Sequence, residues 1–244
     1  MLIKPRTLTS LFSSLSLISF APHSQAGVAT ILEKESRLLA ALENIGAVAY
    51  GVVSADGLIA SSAIGTYSRE DERPINMESI FRIGSISKTF TALSALLLEH
   101  QGQIDLSLPV RRYIGNPPFT NLWRAEHPIT GAQLIEHTAG LRDMSRKEFD
   151  QLSPLSLADA FKVDPASRIT AWRPGQHSSY SNSGAGVITA LIETVTEESF
   201  ERVMRDQIFT PLALGSATFR PPKNMATVLV QGYDSDGVTP IPYW

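Results

Sequence analysis

The sequence predicts an α+β fold, and three observations predict it. Residues 47–53 and 58–64 read as two strands joined by Ala55-Asp56-Gly57, a hairpin signal. Residues 90–98 form an apolar run too continuous for a surface helix, so a buried helix is expected there. Beyond residue 101 the chain turns into short helical pieces separated by turn residues, without the later strands that would complete a sheet. The 244 residues leave room for one large domain or two small ones, and 43% hydrophobic against 18% charged residues supports a real core.

Residues 28–44 read as the first helix. Thr30 and Glu33 fit a capping box, and Ile31, Leu32, Leu38, Leu39 and Leu42 supply an apolar face. Gly46 ends that helix. The hairpin follows, then a charged loop over 69–74, then the buried helix, which closes near Gln101-Gly102. Residues 105–110 read as a turn and a short helical piece, and Asn116-Pro117-Pro118 breaks the chain. Residues 129–137 form a helix opened by Thr130, with Gly140 closing the segment. Helices are also expected over 156–163, 187–195 and 200–208, the last two separated by Thr196-Glu197-Glu198-Ser199.

Lys4 and Arg6 precede an uncharged run over 8–21, and Ser24-Gln25-Ala26 offers small residues for cleavage before Gly27. Residues 1–26 therefore read as a secretory signal peptide, the run being short and serine-rich for a membrane span. Its removal takes two positive charges and no negative ones, which moves the formal charge from −3 to −5. The expected product lies outside the cytoplasm, in the periplasm if the source is Gram-negative, with no stable membrane anchor. No basic run invites nucleic acid. The absence of cysteine rules out disulfides and thiolate metal sites.

The chemistry centres on Ser85 and Lys88. If Ser85 opens the buried helix, the two side chains lie one turn apart on one face. A serine hydroxyl needs a neighbouring base to become a nucleophile, and a lysine amine can serve. The helix N-terminus adds backbone N–H groups suited to developing negative charge. A bare serine-lysine pair at this spacing is common by chance, the ordinary alternative being a capping serine and a solvated lysine. Tyr180 and Asn182 form a second, rarer pair. Two residues apart in an extended or turn segment, both can face one cleft. A phenol held near a lysine can act as acid or base, and an amide can bind a carbonyl or hold the lysine.

Together, residues 81–92, 102–110, 129–141, 174–184 and 208–215 resemble, in order, the serine β-lactamase and penicillin-binding protein superfamily. The resemblance spans residues 47–233 and points to the class C, D-alanyl-D-alanine carboxypeptidase and esterase branch. It implies an antiparallel sheet flanked by helices plus a mainly helical subdomain. Residues 27–100 would hold the first helix, hairpin and nucleophile helix, 101–220 the helical region, and 221–244 the start of a return to the sheet. It implies Ser85 as acylated nucleophile, Lys88 as general base, Tyr180 as its partner in proton transfer and Asn182 as a contact to the substrate amide. The Ser85 N–H would be half of an oxyanion hole. The substrate would be a β-lactam, a D-alanyl peptide or an ester, small or peptidoglycan-derived, and no cofactor or metal is implied.

His137 with an acid would be an alternative hydrolase triad, but no G-x-S-x-G elbow accompanies it, and the resemblance implies a structural turn. His100, His127 and His177 show no metal-ligand spacing. The superfamily's third motif, Lys or His followed by Thr or Ser and Gly, does not follow Tyr180. The resemblance therefore implies an incomplete domain without the last strands, the closing helix and the second oxyanion donor. A weak or inactive, marginally stable product is the expectation, with binding of a peptidoglycan-like ligand without turnover as the alternative function.

Overall fold

The computed structural model describes residues 25–42, 45–149, 151, 153–220 and 227–241. The chain divides into two compact units, one of residues 1–79 with 228–240 and one of 80–227 with 241–244.

In the first unit, helix α1 (Gln25–Leu42) packs on a hairpin of β1 (Ala47–Ser54) and β2 (Gly57–Gly65). Ser54 pairs with Gly57 across the Ala55-Asp56 turn, and the register slips once, between Val52 and Val53. The strands lie where the sequence puts them; the first helix differs. Residues 1–24 and 43–44 of the predicted leader and helix lie outside the described residues. The chain is already helical at Gln25, so Thr30 is interior and does not open the helix. Glu33, the expected partner of that capping box, instead accepts from Arg37 one turn on, at 2.8 Å. Ile31, Leu38 and Leu39, expected on the apolar face, are 40%, 50% and 40% exposed. A two-stranded hairpin is too narrow to cover the stripe that an 18-residue helix presents. Residues 228–240 return here: Gln231 N–H donates to the Tyr67 carbonyl, and Arg69 N–H to the Tyr233 hydroxyl, each at 2.8 Å. Leu229 and Val230 are buried, as are Ala60, Ile64, Tyr67 and Ile75 of the same unit.

The second unit is helical. A 3-10 turn (Gly84–Ile86) leads into α2 (Ser87–His100). Then follow α3 (Gly131–Ile135), α4 (Arg146–Phe149), α5 (Leu157–Val163), a 3-10 turn (Pro165–Arg168), α6 (Asn182–Thr196) and α7 (Phe200–Met204). A π-helical turn over Arg205–Phe209 continues α7, so the helix expected over 200–208 is present but wider in its second half. Helix α6 packs against both α2 and α3. Ala95 and Leu98 of α2, Leu134 of α3, and Val187, Leu191 and Ile192 of α6 form the centre of the core. Full burial of each large apolar side chain is worth about 1.5–3 kcal/mol. The buried expectation for α2 holds on this side only, since Leu93 and Leu96 are 37% and 50% exposed.

Local chemistry sets the boundaries that matter. Thr130 opens its helix as expected, and it does so through a capping box: its hydroxyl accepts from Gln133 N–H, and the Gln133 side chain accepts from Thr130 N–H. A Cβ on Gly184 would sit 2.9 Å from the Leu134 carbonyl oxygen, so the glycine lets α6 approach α3. Gly140 has φ +75°, and a Cβ there would collide with the Trp172 carbonyl oxygen. That close approach pairs 140–142 with 169–171, through Ala171 N–H to Gly140 O at 2.7 Å and Arg142 N–H to Ile169 O at 3.2 Å.

Candidate active site

The 3-10 turn and the first turn of α2 carry Ser85 and Lys88. Ser85 therefore stands just outside the α-helix rather than opening it, and the pair still lies one turn apart. Lys88 Nζ donates to Ser85 Oγ at 3.0 Å and to Asn182 Oδ1 at 2.7 Å. The Tyr180 hydroxyl donates to Ser85 Oγ at 2.6 Å. Two stretches 94 positions apart thus meet around one oxygen. Tyr180 precedes the helix, but Asn182 is the first residue of α6 and not part of the extended or turn segment expected from its spacing. The change of direction occurs at Ser181, and it lets both side chains face Lys88.

Lys88 Nζ lies 5.0 Å from the centre of the Tyr180 ring. A hydrogen bond with Lys88 in the first place, and the one with Ser85 after it, pull the Tyr180 phenol below its ordinary pKa. The trio of Ser85, Lys88 and Tyr180 is joined through the Ser85 hydroxyl oxygen, on which both other side chains converge. A cleft of about 380 Å³ opens at the trio, with Leu134, Ile135 and Ile188 among its apolar lining.

The turn over 137–143 is stitched to the Tyr180 segment along its length. Ser179 N–H donates to His137 O at 2.8 Å, Ser181 N–H to His137 Nδ1 at 3.2 Å, and the Ser181 hydroxyl to Arg142 O at 3.0 Å. The His137 ring lies 4.5 Å from that of Tyr180 at 35°. His137 makes no hydrogen bond to Ser85 among those described; it has φ +59° and braces the Tyr180 segment, a supporting place rather than a triad member's. Sequence reasoning does not single out Asp143. It accepts from Asn182 N–H at 2.7 Å and from Asn182 Nδ2 at 3.1 Å. Its signal is faint, an acid two residues beyond the quoted 129–141 stretch. Among the described residues no cluster of three or more His, Cys, Asp or Glu could hold a metal ion, and no helix is long and apolar enough to cross a membrane.

Burial first, and the charge of Lys88 second, hold His137 below its ordinary pKa of 6.5. The unfolded chain then binds more protons than the folded one between the two values. The stabilisation is full above pH about 6.5 and is lost as pH falls toward the folded value. Protonation at Nδ1 also removes the acceptor for Ser181 N–H. His137→Asn tolerates the left-handed backbone, keeps an acceptor and does not titrate. Its Tm should fall less than that of the wild type between pH 7 and pH 5 in a calorimetric or dye-binding melt.

Residues 36–242 match the family model described as Beta-lactamase. A β-lactamase of Providencia stuartii is 29% identical over 185 residues, which are 75% of this chain and 45% of that protein. Penicillin-binding protein 4* of Bacillus subtilis is 25% identical over 169 residues, 67% of this chain and 36% of that one. The octameric penicillin-binding protein homologue from Pyrococcus abyssi superposes with a TM-score of 0.74 at 23% identity, over 88% of this chain and 50% of its own. At that identity the likeness speaks to the fold, which is the α+β fold of these proteins. The chain spans less than half the length of the curated relatives it matches. With most of its length under one model, and its fold shared with penicillin-binding protein homologues, the chain belongs to the β-lactamase family.

Proposed function

We propose that this chain carries the nucleophile of an exported serine acyl hydrolase, with Ser85 forming the acyl-enzyme. The carrying observation is the Ser85 oxygen held between the Tyr180 hydroxyl at 2.6 Å and the Lys88 amine at 3.0 Å. The Ser85 proton passes to whichever of the two is the free base. The oxygen attacks the carbonyl carbon, and the negative charge that develops is met by the Ser85 N–H at the mouth of α2. The C–N or C–O bond then breaks, the leaving group takes the proton, and water later attacks the ester to return Ser85 and release an acid. β-Lactams, D-alanyl peptides and simple esters share this chemistry. Among the relatives are β-lactamases and a penicillin-binding protein, which supports a small or peptidoglycan-derived substrate. The leader over 1–26 supports export, to the periplasm in a Gram-negative source.

A fluorescent penicillin tests the reading on the purified chain. The expected result is one adduct on Ser85, seen by mass spectrometry and absent from Ser85→Ala. Decay of the adduct over time measures turnover, and an adduct that persists favours a binder that is acylated without release. No labelling of the wild type by the penicillin or by an alkyl fluorophosphonate overturns the proposal.

A further inference from the structure

We infer that Asp143 is a positioning residue for Lys88, acting through the side-chain amide of Asn182; its effect on acylation rests on the acyl-enzyme reading above. An asparagine amide presents a carbonyl on one side and an NH2 on the other. Here the carbonyl accepts from Lys88 Nζ at 2.7 Å, and the NH2 faces the Asp143 carboxylate, at 3.1 Å from Oδ1 and 3.4 Å from Oδ2. Only one orientation of the amide forms both contacts. The reverse would set NH2 against the ammonium and the carbonyl against the carboxylate. Asp143 thus selects the orientation in which Asn182 holds the amine 3.0 Å from Ser85 Oγ.

Asp143 is itself well fixed. Its Oδ1 accepts from Met144 N–H at 2.7 Å and from Asn182 N–H at 2.7 Å, the first amide of α6. The preceding residues 140–142 are pinned to 169–171, and Ser181 holds Arg142 O. The carboxylate therefore has two separable roles. One is to accept two backbone amides, that of Met144 and that of Asn182 at the start of α6. The other is to orient Asn182 through the side-chain amide.

Asp143→Asn separates them. The new side-chain carbonyl still accepts from the backbone amides, so Tm should move little. The carbonyl at the Oδ1 position is then shared between two backbone amides and the Asn182 NH2, the new NH2 stands in place of Oδ2 at 3.4 Å from that NH2, and the negative charge that fixed the amide's direction is gone, so the amide turns and sets two donors against each other at Lys88. Displacement of a catalytic group by about 1 Å can cost about 10²-fold in rate, and a drop of that order is expected in labelling of Ser85 by an alkyl fluorophosphonate, a reagent with no amide to bind. The swap Asp143→Asn with Asn182→Asp rebuilds the chain of contacts. The carboxylate moved to position 182 would accept from Lys88 on one side and from the amide moved to position 143 on the other. The swap should label at least about tenfold faster than Asp143→Asn alone, a rescue that the backbone contacts alone do not produce.

A second readout needs no acylation. Modification of Lys88 by an amine-directed sulfonate reagent, mapped by mass spectrometry, should be faster in Asp143→Asn than in the wild type and slow again in the swap. Equal Lys88 modification in all three, or Ser85 labelling in Asp143→Asn within about twofold of wild type, overturns the inference. If the wild type takes no label at Ser85 while Lys88 modification follows the expected order, the acyl-enzyme reading fails and the positioning role stands.

Discussion

Lys88→Met lowers the rate of Ser85 acylation by about 10²–10⁴-fold, the range that a positioned general base contributes. Methionine keeps the length and packing of the stem and removes the amine. Ser85 Oγ then loses its contact at 3.0 Å, and Asn182 Oδ1 loses the donor at 2.7 Å. Tyr180 loses the first cause of its lowered pKa. The sign of the pH effect follows. With Lys88 present, the phenolate is reached at lower pH than for an ordinary tyrosine; without it, the phenolate is reached only at higher pH. The residual labelling of Lys88→Met should therefore rise at more alkaline pH than that of the wild type. Lys88→Arg is the sharper companion. It keeps a positive charge beside Tyr180, but a guanidinium does not give up its proton near neutral pH. The expected result is a loss comparable to that of Lys88→Met, with circular dichroism showing both variants folded. An arginine variant that labels at the wild-type rate would assign the base to Tyr180 alone.

What could be read in advance divides by the range of the interaction. Ser85 and Lys88 were legible because helical spacing joins residues three apart, and a 3-10 turn before α2 does not spoil it. Thr130 as a helix start was legible for the same local reason, although its partner Gln133, which completes the capping box within four residues, was not singled out. The same pattern misled at Thr30 and Glu33, because a box signals a start only where the helix has not already begun, and α1 is already helical at Gln25. The meeting of Tyr180 and Asn182 with Ser85 was legible only through family resemblance, since no spacing rule spans 94 positions. Asp143 was invisible because its meaning lies in the direction of one amide in α6. The helical start at Asn182 was missed because the apolar pattern of α6 begins only at Val187, while Ser181 and the close packing of Gly184 on α3 set the earlier boundary.

Arg168→Met destabilises the second unit by about 3–5 kcal/mol, the usual cost of stranding one partner of a buried ion pair. Arg168 and Glu148 have side chains 3% and 4% exposed and meet at 2.5 Å. Neither is visible in the sequence as a core residue, because charged residues are rarely buried unless paired. The guanidinium also donates to Ser167 Oγ at 2.8 Å, Phe161 O at 2.6 Å and Asp164 O at 3.0 Å, and its carbon lies 5.1 Å from the centre of the Phe161 ring. One side chain thereby ties α4, the end of α5 and the 3-10 turn together. Methionine fills similar space but leaves the Glu148 carboxylate buried without its cation, and takes one donor each from the Phe161 carbonyl and from the Asp164 carbonyl, which Ser167 still serves. The loss is large against a typical domain stability of about 5–15 kcal/mol. The double variant Arg168→Met with Glu148→Leu removes the stranded charge and should regain part of the loss, although the Phe161 and Asp164 carbonyls stay without that donor. Urea midpoints of the three proteins check this, the order being wild type, double variant, single variant. A single variant as stable as the wild type would mean that water reaches Glu148 and the pair is not buried in solution. Because Arg168 makes none of the hydrogen bonds that hold the Ser85 oxygen, the labelling rate per folded molecule should stay at the wild-type value even as the folded fraction drops.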